Sequence, residues 1–360
     1  MTWAAARRVL AVRLDALGDV LMTTPALRAL KAARPDRHLT LLTSPAGAAA
    51  AALVPEVDDV VVYEAPWMKA TAPRVESTPD LEMIERLRAG RFDGAVIFTV
   101  YSQNPLPAAL LCYLAGIPRR LAHCHENPYQ LLTDWVHDPE PAGGVRHEVQ
   151  RQLDLVATVG CVGAGERLSL QVSEAARARV SSLLAARGLD RRPWVLVHPG
   201  ATAPSRRYPP AQFAEAARTL ARETGCAIVL SGAGDDPALH ETLAALSDVE
   251  TYALDGLLLA DFAALVQAAP LLLGNNSGPV HVAAAVGTPV VDLYALTNPQ
   301  HTPWAVAHRV LSHDVPCKHC YKSVCPEGHH DCLRLVAPEA VAEAALSLLP
   351  PSWRAGRGSG

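Results

Sequence analysis

Short apolar stretches of strand length alternate with helix-patterned segments along nearly all of this 360-residue chain, and they do so in two series. The first has strand patterns at Val9–Leu14, Leu39–Thr43, Asp59–Tyr63 and Gly94–Phe98, with helix patterns at Thr23–Ala33, Leu81–Ala89 and Pro107–Ala115. The second has strand patterns at Trp194–Val197, Ala227–Leu230, Pro270–Leu273 and Pro289–Leu293, with helices at Pro210–Thr224, Asp236–Leu246 and Val280–Val286. Alternation of this kind predicts parallel sheets with helices on both faces, because parallel strands need a crossover connection that packs back on the sheet. Two helix patterns, His147–Val159 and Ser173–Arg187 with Ser173 as N-cap, lie between the series. The length exceeds one ordinary core, and 50% hydrophobic residues supply two. We therefore expect an α/β protein with domains at 1–165 and 166–335, a C-terminal helix at 336–350 and a disordered tail at 351–360.

The net charge of −4 argues against a nucleic-acid binder held by a large basic surface, though not against a local basic pocket for phosphate. No run of about 18 apolar residues is present, and the N-terminal strand is too short and too charged for a signal peptide. A cytoplasmic protein is expected. Four of the eight cysteines crowd into Cys317–Cys332, which in such a compartment suggests metal or redox chemistry more than a disulfide framework.

Three strand-to-helix junctions carry residues suited to chemistry. At the first, Leu14 leads through Asp15-Ala-Leu-Gly18-Asp19 into a helix. Ligands of open α/β sheets bind outside the carboxyl ends of the strands. Gly18 would let a ligand approach the backbone, and Asp19 is either a base or only a helix cap. At the second, His198-Pro-Gly200 follows a strand, and Arg206-Arg207 precede a helix. Guanidinium groups bind phosphate oxygens bidentately, so these arginines either stabilise a leaving group or are solvated loop charges. The third, Asn275-Asn276-Ser277-Gly278-Pro-Val-His281, opens a helix after a buried strand. Asn276 or Ser277 caps that helix, or its free N–H groups and the Ser277 hydroxyl meet a diphosphate, or both. His281, one turn in, reads as a packed side chain more than a catalytic one. Ser231-Gly-Ala-Gly234 is a further glycine turn, of a kind that shapes a cleft wall. The Cys317-x-x-Cys320 spacing, with Cys325 and Cys332 or with His329 and His330, offers four ligands to a structural zinc or iron; a reduced cluster or a reversible disulfide are the other readings.

These residues together resemble glycosyltransferase family 9, the ADP-heptose:lipopolysaccharide heptosyltransferases. The resemblance is carried by Gly18-Asp19-Val-Leu with Thr24-Pro25, by His198-Pro-Gly200 with Arg206-Arg207-Tyr208-Pro209, and by Asn276-Ser277-Gly278 with His281-Val-Ala-Ala-Ala285. Pro289-Val-Val-Asp292-Leu-Tyr294 and Thr297-Asn-Pro299 also fit, so it spans residues 8 to 349. It implies the GT-B fold, two Rossmann-like domains with parallel sheets facing a central cleft, the first on the acceptor side and the second binding the nucleotide sugar. It implies an inverting transfer of heptose from ADP-heptose to a cell-surface glycan, lipopolysaccharide core above all, with no metal needed for the chemistry. Asp19 would be the general base, and Arg206 would neutralise the departing diphosphate. Gly18, Gly200, Arg207, Asn276, Ser277, Gly278 and His281 would line the donor site. Closure of the cleft would bring Asp19 and Arg206 together and exclude water. Where relatives often carry Asp, this chain has Asn276, which keeps hydrogen bonding but not charge. The alternatives are a GT-B transferase or epimerase using another nucleotide sugar, or an inactive sugar-nucleotide-binding scaffold. Acceptor contacts are expected from the loop at 65–79 and from His123–Tyr129; no nucleic acid and at most peripheral membrane contact are expected.

Overall fold

A computed structural model describes residues 2–353, so the end of the expected tail, 354–360, lies outside the described residues. The chain divides into two compact units, one ending at Leu170 and the other beginning at Gln171.

The first unit contains β1 (Arg8–Arg13), α1 (Leu17–Ala33), β2 (His38–Thr43), α2 (Pro45–Ala51), β3 (Asp59–Val62), α3 (Thr78–Ala89), β4 (Gly94–Ile97), α4 (Leu106–Leu114), β5 (Arg120–Cys124), β6 (Asp134–His137) and α5 (Glu148–Ala157). Its six strands pair in the order β3-β2-β1-β4-β5-β6, all in parallel. The second unit contains α6 (Glu174–Ala185), β7 (Trp194–His198), α7 (Pro210–Thr224), β8 (Ala227–Gly232), α8 (Pro237–Ala245), β9 (Thr251–Asp255), α9 (Leu259–Ala268), β10 (Leu272–Asn275), α10 (Gly278–Val286), β11 (Val290–Leu293), β12 (His308–Leu311), α11 (Asp331–Arg334) and α12 (Pro338–Leu348). Its strands pair as β12-β11-β10-β7-β8-β9, again all parallel. Counted from the first strand of each unit, both orders are 3-2-1-4-5-6, the Rossmann arrangement. The fold class is therefore α/β with two Rossmann-like units, as in GT-B enzymes.

The central strands are apolar runs because both faces are covered. Val9 to Val12, Ala95 to Ile97, Val195 to Val197 and Leu271 to Leu273 are all at most 1% exposed. Ser173 caps α6, its side chain accepting from the Ala176 N–H at 3.2 Å. The sequence reading does not include α2, β5, β6, β9, α9, β12 and the four-residue α11. Helix α1 starts at Leu17, six residues before the expected Thr23, because the turn bearing Gly18 and Asp19 is itself helical. Helix α12 packs on α7 and β11 within the second unit. No helix among the described residues is long and apolar enough to cross a membrane.

Candidate active site

In each unit the strand order reverses between two neighbours, β1 and β4 in the first and β7 and β10 in the second. Loops leaving the carboxyl ends of such strands diverge to opposite faces and leave a crevice. The expected site residues fall at these switch points.

In the first unit β1 ends in Arg13, whose side chain is fully buried. One guanidinium holds three carboxylates: Glu148 at 2.7 Å, Asp19 at 3.0 Å and Asp15 at 3.0 Å. Glu148 is also buried, opens α5, and accepts from Gln152 Nε2 at 2.7 Å. Asp19 and Asp15 sit at the rim, with side chains 19% and 14% exposed. Asp19 is the third residue of α1; its Oδ2 accepts from the Ala16 N–H at 3.2 Å, as in half a capping box. The side chain thus both caps the helix and joins the charged cluster, where Oδ1 takes the Arg13 bond. Burial pushes Asp15 up to about 6, against the pull of Arg13 and with the push of Asp19, while Gln103 donates to its Oδ1. Three negative groups around one cation leave excess negative charge at the rim. Gly18 is buried in the first turn of α1.

In the second unit β7 ends in His198, whose Nδ1 lies 3.1 Å from Ser231 Oγ and whose ring packs edge-on against Phe262. Burial lowers His198 to about 4, so the ring is neutral at physiological pH. Gly200 is required by close approach: a Cβ there would stand 2.0 Å from Asp236 Oδ2, while Asp236 Oδ1 caps α8 through the Ala238 N–H. A single 3-10 turn, Pro204–Arg206, presents Arg206; Arg207 is exposed and donates from Nε to the Ala201 carbonyl at 2.7 Å. Buried Asn275 ties this loop to β10. Its Oδ1 accepts from the Tyr208 N–H at 2.9 Å and its Nδ2 donates to the Pro199 carbonyl at 2.7 Å.

Helix α10 begins after Ser277 with no side-chain cap, and the Ser277 hydroxyl donates to the Asn275 carbonyl at 3.2 Å. Neither Ser277 nor Asn276 caps this helix. Asn276 is buried against Asp292 instead, and His281 is a buried residue of the first turn. The second unit therefore gathers Gly200, Arg206, Arg207, Asn276, Ser277 and Gly278 around the carboxyl ends of β7 and β10. Arg13, Asp15, Glu148, Asn275 and Asp292 were not singled out from sequence. A signal existed: Arg13 is a charge directly after the apolar run Val9–Val12, and Asp292 is a charge inside an otherwise apolar strand.

The expected structural metal at Cys317, Cys320, Cys325 and Cys332 is not supported. The four thiols line a cavity of about 20 Å³ with His329 and His330, and none is in a disulfide. Among the described residues, however, no group of three or more His, Cys, Asp or Glu side chains is placed to hold a metal ion. Cys317 Sγ contacts His329 Nε2 at 3.7 Å. The loop has a visible mechanical role. Ser205, beside Arg206, bonds to the Ser323 and Lys322 carbonyls at 3.0 and 2.8 Å, so the cysteine segment braces the arginine turn.

The sequence profile of glycosyltransferase family 9 (heptosyltransferase) matches residues 81–330. Lipopolysaccharide heptosyltransferase 2 of Salmonella typhimurium is 28% identical, with 95% of this chain and 98% of that protein covered. The solved structure of E. coli ADP-heptose lps heptosyltransferase II is similar at a TM-score of 0.73 and 27% identity, over 95% of this chain and 98% of that one. A family 9 glycosyl transferase from Veillonella parvula shares the fold at a TM-score of 0.76 and 22% identity, over 95% and 97%. With the profile covering more than two thirds of its length, the chain belongs to glycosyltransferase family 9 and is a glycosyltransferase.

Proposed function

We propose that the enzyme transfers heptose from ADP-heptose to a lipopolysaccharide core acceptor with inversion at the anomeric carbon. Asp19 takes the proton of an acceptor hydroxyl. That oxygen forms the new bond to the anomeric carbon as the bond to the diphosphate oxygen breaks, and the electron pair leaves with ADP. Arg206 neutralises the developing charge on the leaving phosphate, and the uncapped amides of α10 with Ser277 and Gly278 bind the diphosphate. Gly18, Gly200, Arg207 and His281 complete the donor surroundings. The observation that carries the base assignment is the Arg13 cluster. With the Ala16 N–H it fixes Asp19 through both carboxylate oxygens at a strand end, while the same guanidinium also pairs with Asp15 and the buried Glu148. No metal or cofactor takes part in the transfer. We place the reaction in the cytoplasm, where nucleotide sugars are used, with a lipid-linked acceptor met at the membrane face.

Calorimetry with ADP, UDP, GDP and dTDP tests the donor, and ADP release from ADP-heptose with core acceptor tests the transfer. ADP preference is expected, and Asp19→Asn lowers turnover by about a thousand-fold or more while ADP binding stays within about two-fold. Preference for another nucleotide refutes the ADP-heptose donor. Full turnover by Asp19→Asn refutes the base.

A further inference from the structure

Asn276 and Asp292 come from neighbouring strand ends in the second sheet, where β10 and β11 run in parallel. The Asn276 main-chain N–H bonds to the Leu293 carbonyl at 3.1 Å. Its side-chain Nδ2 donates to Asp292 Oδ2 at 2.9 Å and to the His301 main-chain oxygen at 2.8 Å. A carbonyl oxygen only accepts, so the contact with His301 identifies the inward atom as the amide nitrogen, and Asp292 takes its second N–H. Both amide N–H groups are thereby used on the protein side. Only the amide oxygen remains to meet a ligand, two residues before the uncapped start of α10.

Asp292 is an expensive way to hold an amide. It is 0% exposed, and its Oδ1 has no hydrogen-bond partner. Burying a carboxyl with one oxygen unsatisfied destabilises a fold. Stability does not explain its presence in an otherwise apolar strand. We propose that Asp292 is a positioning residue that, together with the His301 carbonyl, locks the Asn276 amide with its oxygen outward, as a hydrogen-bond acceptor for a hydroxyl of the donor sugar. This rests on the heptosyl-transfer reading above. An aspartate at 276 would present an acceptor in either orientation of its carboxylate; an asparagine does so only when its N–H groups are held inward.

The test uses the full chain, ADP-heptose and ADP. Asp292→Ala raises KM for ADP-heptose about ten-fold, the size of one lost hydrogen bond, and leaves the Kd of ADP, which lacks the sugar, within about two-fold. Asp292→Asn keeps both constants within about three-fold, because its own side-chain oxygen still accepts from Asn276. The double variant Asn276→Asp/Asp292→Ala recovers the KM lost in Asp292→Ala. Unchanged KM in Asp292→Ala, an equal loss of ADP affinity, or no recovery in the double variant overturns the proposal. A donor-independent readout separates this from failure of the heptosyl reading. In protein labelled with ¹⁵N-asparagine, the Asn276 side-chain amide pair, identified by its loss in Asn276→Asp, exchanges slowly with solvent in the wild type and fast in Asp292→Ala. If ADP-heptose is not a donor, the heptosyl reading fails alone and this exchange decides the lock. Fast exchange in the wild type overturns it.

Discussion

Replacing Asp292 by asparagine removes a buried titrating group while keeping its shape, and the consequence for stability is a pH dependence of defined sign. Burial pushes the Asp292 carboxyl from its ordinary 3.8 up to about 8, with the Asn276 hydrogen bond and the Arg206 charge pulling the other way. An acid whose folded pKa is raised binds its proton more tightly when folded than when unfolded. Folding stability therefore falls as pH rises through the window from about 4 to about 8, and is flat on either side. Each pH unit inside that window is worth about 1.4 kcal/mol. Between pH 5 and 7.5 the wild type should lose about 3 kcal/mol relative to Asp292→Asn. Urea unfolding followed by circular dichroism at both pH values measures this, and taking the difference between the two proteins cancels every other titrating group. A difference that is the same at both pH values, or that shrinks toward pH 7.5, refutes the account of Asp292 as a desolvated acid.

Three further outcomes are expected. Arg206→Ala should lower kcat about a hundred-fold with a smaller change in ADP affinity, and Arg206→Lys should recover part of it; steady-state kinetics with calorimetry decides, and an unchanged kcat removes Arg206 from the leaving-group role. Glu148→Ala should destabilise the first unit by about 3 kcal/mol, because it strips the closest partner from a fully buried guanidinium; denaturant unfolding checks this. Prolonged dialysis against a strong chelator should leave Tm and turnover unchanged, as thermal unfolding and ADP release will show; a fall in both would mean that the cysteine loop holds a metal after all.

Much of the proposed chemistry is written locally. Gly18-Asp19, the Arg206 turn and Asn276-Ser277-Gly278 are each contiguous strand-to-helix junctions, and their positions at strand ends follow from the apolar patterns on either side. What they bond to is not local. Whether Asn276 caps its helix could not be read from its neighbours, because its partner Asp292 lies sixteen residues on, across a strand pairing. The metal expected of the cysteine segment is likewise unsupported by the folded loop, whose bonds to Ser205 brace the turn that carries Arg206.

The alternation of apolar strands and helices, by itself, determined two parallel α/β units, since period and length alone dictate which segments can be buried on both faces. The edge strands β6, β9 and β12 were left invisible, because edge strands are half-covered and lose the continuous apolar signal, and β5 because Arg120 and His123 interrupt its short apolar run. Tertiary structure decided the rest: the strand order 3-2-1-4-5-6, and with it which loops share a switch point. It also brought Glu148 to Arg13 across 135 residues. Burial makes such contacts matter, because a charge removed from water must find a partner wherever the chain supplies one, and sequence distance does not enter that requirement.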